Sequence, residues 1–185
     1  MPIILFNVKW MSFNIALAFA GVLFALFFLR TKGFLKFLFF ILWVLFLPNT
    51  IYLATDMQYF LDQFIVADFL LKIILLGQYS LVFILGIITF MVGIKPLEKV
   101  LKYQFKKDKE LINIANILIN FTIAFAVILG KVERVHSWYV FTDPKRVIES
   151  SIKILSSQNL IILIFLIGIL INLVFFQFKK LKIFK

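Results

Sequence analysis

The chain has 185 residues, 63% of them hydrophobic, and a mean hydropathy of +1.06. A water-soluble domain of this length could not bury so much apolar surface, so a bilayer must act as its solvent. The absence of cysteine and the single histidine, His136, exclude a disulfide framework, a thiolate metal site and any site built on several histidines. The net charge of +11 falls between apolar stretches, which fits membrane topology and anionic lipid rather than nucleic acid.

Residues 1–11 read as a short tail, and Ser12–Leu29 as the first membrane span, close to the roughly 20 residues a crossing helix needs. It resembles the apolar region of a signal peptide, but no small-x-small cleavage pattern precedes Arg30, so a retained helix is expected. Asn14, Ala18, Gly21 and Ala25 share one face and would admit a neighbouring helix closely. A second span is expected from about Phe34 to Leu53, with Pro48 loosening the helix by removing a donor. If the helix runs on, Asn49, Tyr52 and Asp56 fall at i, i+3 and i+7 on one face, where an amide, a phenol and a carboxylate leave the membrane together.

The connection 55–68 carries Asp56, Asp62 and Asp68 and no lysine or arginine. Phe64–Ile94 then reads as one long tilted span, with Asp68 and Lys72 pairing in its first turns. Gln78, Tyr79 and Ser80 lie well inside it, where hydrogen bonds between helices are the plainest role. Lys95–Glu110 opens with Pro96 and separates Leu97, Val100, Leu101 and Phe105 from Lys99, Lys102 and Lys106, the pattern of a cationic helix on the membrane surface. Leu111–Gly130 is the fourth span. Its Asn113, Asn116 and Asn120 either hydrogen-bond across helices or form a polar track towards Lys131. A fifth span falls between about Ile154 and Phe178, with Asn172 inside it.

Between the last two spans lies the segment Gly130–Pro144. Lys131 and Arg134 sit one turn apart at a helix end, where cations are favoured. Trp138, Tyr139 and Phe141 suit a membrane–water interface. Asp143 followed by Pro144 predicts an N-cap and first helical residue for a short helix with Val147, Ile148, Ser151, Ile152 and Leu155 on one side. The fold class expected is thus all-α, a single integral membrane domain over residues 1–185 with about five transmembrane helices and two short interfacial amphipathic helices.

With five spans, thirteen lysines and arginines fall on one side of the membrane and six on the other. The positive-inside rule then puts the N-terminus outside and the C-terminus in the cytoplasm of a cytoplasmic-membrane protein. The motifs at Asn49–Asp56 and Lys131–Trp138 are expected to emerge on the outer side.

Leu47-Pro48-Asn49, Tyr52 and Thr55-Asp56, followed later by Gly130, Arg134 and Ser137-Trp138, resemble the domain of unknown function 1361 family. The resemblance extends over most of the chain and implies a small bacterial integral membrane protein, with no activity to carry over. Lys131, His136 and Tyr139 stand where the family pattern has arginine, asparagine and aspartate.

Three functions follow as expectations. The first is a site for an anionic lipid or envelope-precursor head group, made by Asn49, Tyr52, Asp56, Lys131, Arg134, His136 and Trp138. The second is an accessory subunit with a membrane protein partner, in which Asp56 and Arg134 pair to fix helix ends. The third is a transporter component whose path is lined by the asparagine face with Gln78 and Asn172. A metal site from Asp56, Glu133, His136 and Asp143 matches no known spacing, and none is expected. No cofactor is expected, since the chain has no nucleotide-binding signature or glycine-rich phosphate loop.

Overall fold

A computed structural model describes residues 2–57, 59–106 and 108–180. Among them every regular element is helical: α1 (Pro2–Arg30), α2 (Gly33–Thr55), α3 (Phe60–Val66), α4 (Phe69–Gly93), α5 (Lys95–Gln104), α6 (Lys109–Val132), α7 (Tyr139–Thr142), α8 (Pro144–Leu155) and α9 (Gln158–Lys180). Five helical stretches, carried by α1, α2, α4, α6 and α9, are long and apolar enough to cross a membrane. The protein is therefore a polytopic helical membrane protein, since a spanning helix satisfies its own backbone where water cannot. The chain divides into two compact units, residues 1–93 and 94–185.

In the first unit α1, α2 and α4 pack on one another, and α3 rests on α4. The small-residue face of α1 makes the close approach expected of it. A β-carbon added at Gly21 would meet the Phe46 carbonyl oxygen at 2.8 Å, and Ala18 and Ala25 are buried. Gly86 of α4 is tighter still, since a β-carbon there would lie 2.5 Å from the Ala54 nitrogen. Pro48 stays inside α2. Beyond it, the Thr89 hydroxyl donates to the Leu85 carbonyl at 2.7 Å and lies 3.1 Å from the Thr50 carbonyl; before it, Trp43 Nε1 donates to the Gly93 carbonyl at 2.8 Å.

Three expectations need correction here. The supposed tail is helical from Pro2, so α1 carries Asn7 and Trp10 into the packed unit. The span expected over Phe64–Ile94 starts later, at Phe69. Ala67 is extended (φ −78°, ψ 144°), and α4 begins only after it. Asp68 does not extend that helix through Lys72. Its Oδ1 accepts from the Leu71 amide at 2.8 Å, as an N-cap does, while Lys72 Nζ lies 5.3 Å from the Phe64 ring centre.

In the second unit α6 and α9 form the main pair. They run antiparallel: Asn120 meets Asn172, whereas Ile128 and Leu129 share a cluster with Leu160 and Ile164. The Phe121 ring lies directly over Gly168, leaving no room for a β-carbon. Helix α5 starts at Lys95–Pro96, buries Pro96 and Leu101, and leaves Lys99 and Lys102 exposed, as its amphipathic pattern predicts. Glu98 fastens it to α9 through Lys179 at 3.0 Å. Asp108 caps α6 by accepting from the amides of Glu110 (2.9 Å) and Leu111 (3.2 Å). Of the three asparagines in its first half, Asn113 is exposed while Asn116 and Asn120 are fully buried, so the three do not make one continuous polar face.

Candidate functional site

The seven candidate residues divide between the units. Asn49, Tyr52 and Asp56 belong to the first; Lys131, Arg134, His136 and Trp138 belong to the second.

In the first unit Asn49 and Tyr52 are half-buried on the last turns of α2. The helix ends at Thr55, and Asp56 follows it as the C-cap residue, its amide donating to the Leu53 carbonyl at 3.3 Å. Asp56 is only 3% exposed, and its Oδ2 accepts from Asn14 Nδ2 at 2.9 Å. A buried carboxylate is costly unless it is hydrogen-bonded, and Asn14 supplies one such bond. The small-residue face of α1 thus does more than pack. Nearby, Asn7 and Gln63 bond each other reciprocally (Asn7 Nδ2 to Gln63 Oε1 2.8 Å, Gln63 Nε2 to Asn7 Oδ1 2.9 Å). Trp10 Nε1 also donates to Asn7 Oδ1, and the Tyr79 hydroxyl to Gln63 Oε1. Asn7 Nδ2 reaches Gln78 Oε1 at 3.3 Å, so Gln78 and Tyr79 serve hydrogen bonding between helices as expected. Asn7 and Gln63 were not legible as site neighbours. The only sequence signal for Asn7 is an amide in the stretch preceding Trp10, and for Gln63 an amide in the short run Phe60–Val66.

The second unit's group is built on the end of α6. Lys131 lies in its last turn, and Glu133 is its C-cap. Arg134 takes a left-handed backbone conformation (φ 53°), uncommon for a side-chain-bearing residue, and the Val135 amide turns back to the Leu129 carbonyl at 3.4 Å. His136 then stacks on Trp138, with ring centres 4.4 Å apart and planes 9° from parallel, and meets the edge of Tyr139 at 5.3 Å. Asp143 caps α8 by accepting from the Arg146 amide at 3.2 Å. That cap places the Arg146 guanidinium 4.8 Å from the Tyr139 ring centre and 3.5 Å from the Glu133 carbonyl oxygen. Arg146 is thus a member of the group that the spacing alone did not single out, although Asp143-Pro144 three residues ahead of it was a usable signal.

Charge in this group is positive on balance. Glu133 is taken up by Lys153 at 2.8 Å, with its side chain mostly shielded. Lys145 and Glu149 make a solvated pair at 3.7 Å, worth little. Arg134 is exposed, and no described carboxylate pairs with it. The imidazole of His136 is held below the ordinary histidine pKa, first by its burial and then by the positive charges of Arg146 and Arg134. Both guanidinium groups therefore act on one imidazole. Among the described residues no three histidine or acidic side chains cluster as metal ligands would.

Helix α8 divides its surface three ways, which corrects the single apolar side expected of it. Ile154 and Ser150 are buried against the unit, with Val147 packed in the cluster of Ile128, Leu129 and Val135. Ile148, Ile152 and Leu155, at i, i+4 and i+7, are exposed along one flank. Lys145, Glu149 and Lys153, at i, i+4 and i+8, are exposed along another, next to Arg146. One flank thus offers hydrocarbon contact and the other polar contact.

The family model described as "protein of unknown function (DUF1361)" matches residues 13–174. The chain belongs to this family. That match spans all seven candidate residues, and the membership carries no activity with it. No curated protein matches the chain, and no solved structure does.

Proposed function

We propose that residues 131–155 bind the anionic head group of a membrane lipid or lipid-linked envelope precursor at the membrane surface. The observation that carries this reading is the division of α8. Its apolar flank belongs in the acyl region and its charged flank in the head-group layer, and Arg146 joins the second flank to the rings of Tyr139, His136 and Trp138. Interfacial aromatics settle at the same depth. Arg134 and Arg146 then offer planar, permanently charged donors where phosphates lie. Asn49, Tyr52 and Asp56 stand in this reading as a second polar group of the same membrane side. That follows from helices alternating across the bilayer and from the charge bias, which puts the N-terminus outside and the C-terminus in the cytoplasm.

Binding is tested by thermal shift and native mass spectrometry of the purified protein with phosphatidylcholine or phosphatidylglycerol. Wild type gains stability from the anionic lipid by mass action. Arg134→Ala loses most of that gain, since a charge-assisted contact contributes about 2 kcal/mol, roughly thirtyfold in affinity. An equal response of both proteins would assign the lipid effect to lysines elsewhere and favour the accessory-subunit reading. Orientation is tested by single cysteines, for which the chain offers a clean background. A cysteine at Thr142 should react with an impermeant reagent in intact cells, and one at Tyr103, 89% exposed, should not. The opposite pattern reverses the topology.

A further inference from the structure

The asparagines inside α6 hold an observation that the head-group reading does not use. Asn116 and Asn120 lie one turn apart and are fully buried near the middle of the helix. Asn116 Nδ2 donates to the Ile112 carbonyl at 2.8 Å, and Asn120 Nδ2 donates to Asn172 Oδ1 at 2.9 Å. Asn172 in turn donates to the Gly168 carbonyl at 2.9 Å. Each of the first two amides is thus anchored through its nitrogen, to a different partner. The oxygens Asn116 Oδ1 and Asn120 Oδ1 are buried with no hydrogen-bond donor among the described residues.

A buried amide oxygen without a donor costs several kcal/mol in an apolar medium, and two on one face compound that cost. Residues at i and i+4 have their β-carbons about 6 Å apart, close enough for one small molecule to reach both. We propose that Asn116 Oδ1 and Asn120 Oδ1 together bind a small neutral hydrogen-bond donor, a water molecule, buried at mid-span of α6. Both open positions are acceptors, which excludes an anion. From Leu111 to Val132 and throughout α9 the sequence has no aspartate or glutamate, so no carboxylate on either helix compensates a dehydrated cation. Water needs only two to four polar partners, and the two oxygens supply two of them.

Asn116 and Asn120 do not bond to each other, so no direct hydrogen bond couples them, whereas a shared water would. The test is a double-mutant cycle on the thermal midpoint of the purified full-length protein with Asn116→Leu, Asn120→Leu and both. Each single substitution should lower Tm by about 3 °C, because it expels the water and strands the other oxygen. The double variant should lower it by clearly less than the sum of the two. Strictly additive shifts, or a rise in Tm for Asn116→Leu, overturn the proposal, the latter because removal of an unsatisfied oxygen alone stabilises. A second measurement replaces sodium chloride with choline chloride at equal ionic strength. An unchanged wild-type Tm supports water. A sodium-dependent gain that Asn116→Leu abolishes overturns it in favour of a cation.

Discussion

In the first unit the amides of Asn7, Gln63 and Gln78 direct their hydrogen bonds at one another, and Asp56 is buried with Asn14 against it. In the second unit the two arginines near the end of α6 and the start of α8 are exposed and have no described carboxylate on them. Arg134 is exposed, and Arg146 lies on an aromatic ring rather than on a carboxylate. The same membrane environment is met in two ways. Groups that close on themselves hold helices in register, whereas cations left among interfacial aromatics retain the capacity to bind something else. Function is therefore sought first in the second unit, although the first holds the more deeply buried carboxylate.

The largest expected effect comes from the packing that underlies this contrast. A β-carbon at Gly86 runs into backbone, the Ala54 nitrogen, which cannot step aside without moving α2. At Gly168 the obstacle is the half-buried Phe121 ring, which can turn away. Gly86→Ala should therefore cost about 3 kcal/mol and Gly168→Ala about 1 kcal/mol, the two ends of the usual range for overpacking. Thermal unfolding in one detergent compares them directly. Equal losses would mean that the α6–α9 seam is as rigid as the α2–α4 seam.

Next come the polar groups themselves. Asn7 takes part in four side-chain hydrogen bonds. At about 0.6 kcal/mol for each such bond in a membrane protein, Asn7→Leu should cost about 2 kcal/mol. Arg134→Ala should change stability by under about 0.5 kcal/mol in a neutral detergent, as an exposed substitution does. If Arg134→Ala proved as damaging as Asn7→Leu, Arg134 would be a structural group and the contrast between the units would fail.

How far the sequence reveals this arrangement depends on which kind of signal each feature leaves. The five spans were legible because apolar length is a direct consequence of bilayer thickness. The cap of α8 was legible because Asp143-Pro144 is a local pattern with a local cause. The break at Ala67 was hidden by hydropathy, which stays high across it; only Asp68, as a capping residue, marked the new start. Asn7 was missed because a short polar interruption near a chain end looks like a tail until Gln63 is known to face it. The split of the apolar stripe on α8 was hidden for a related reason. Periodicity shows that Val147, Ile148 and Ile152 are apolar neighbours, but protein and lipid are alike to it. The members of the candidate site could be named from residue chemistry, whereas Arg146 joined only through its contact with Tyr139.

The smallest expected effect concerns His136 and sharpens the same comparison. Burial and the charges of Arg146 and Arg134 hold its pKa below the ordinary value of about 6.5. The unfolded chain therefore takes up a proton that the folded chain resists. The contribution of this residue is complete above about pH 6.5 and is lost as the pH falls below it. Wild type should thus lose more Tm than His136→Gln between pH 7.5 and 5.5, a window of about one unit on either side of the unfolded value. A phosphodiester head group placed beside the two guanidinium groups would offset their charge and raise the histidine pKa. Phosphatidylglycerol should therefore narrow the gap between the two proteins, and phosphatidylcholine, whose phosphate carries its own cation, should not. If His136→Gln follows wild type throughout the window without lipid, the guanidinium groups do not act on the imidazole. If the gap persists unchanged in phosphatidylglycerol, no anion binds beside the imidazole, burial alone sustains the shift, and the head group must lie elsewhere on the second unit.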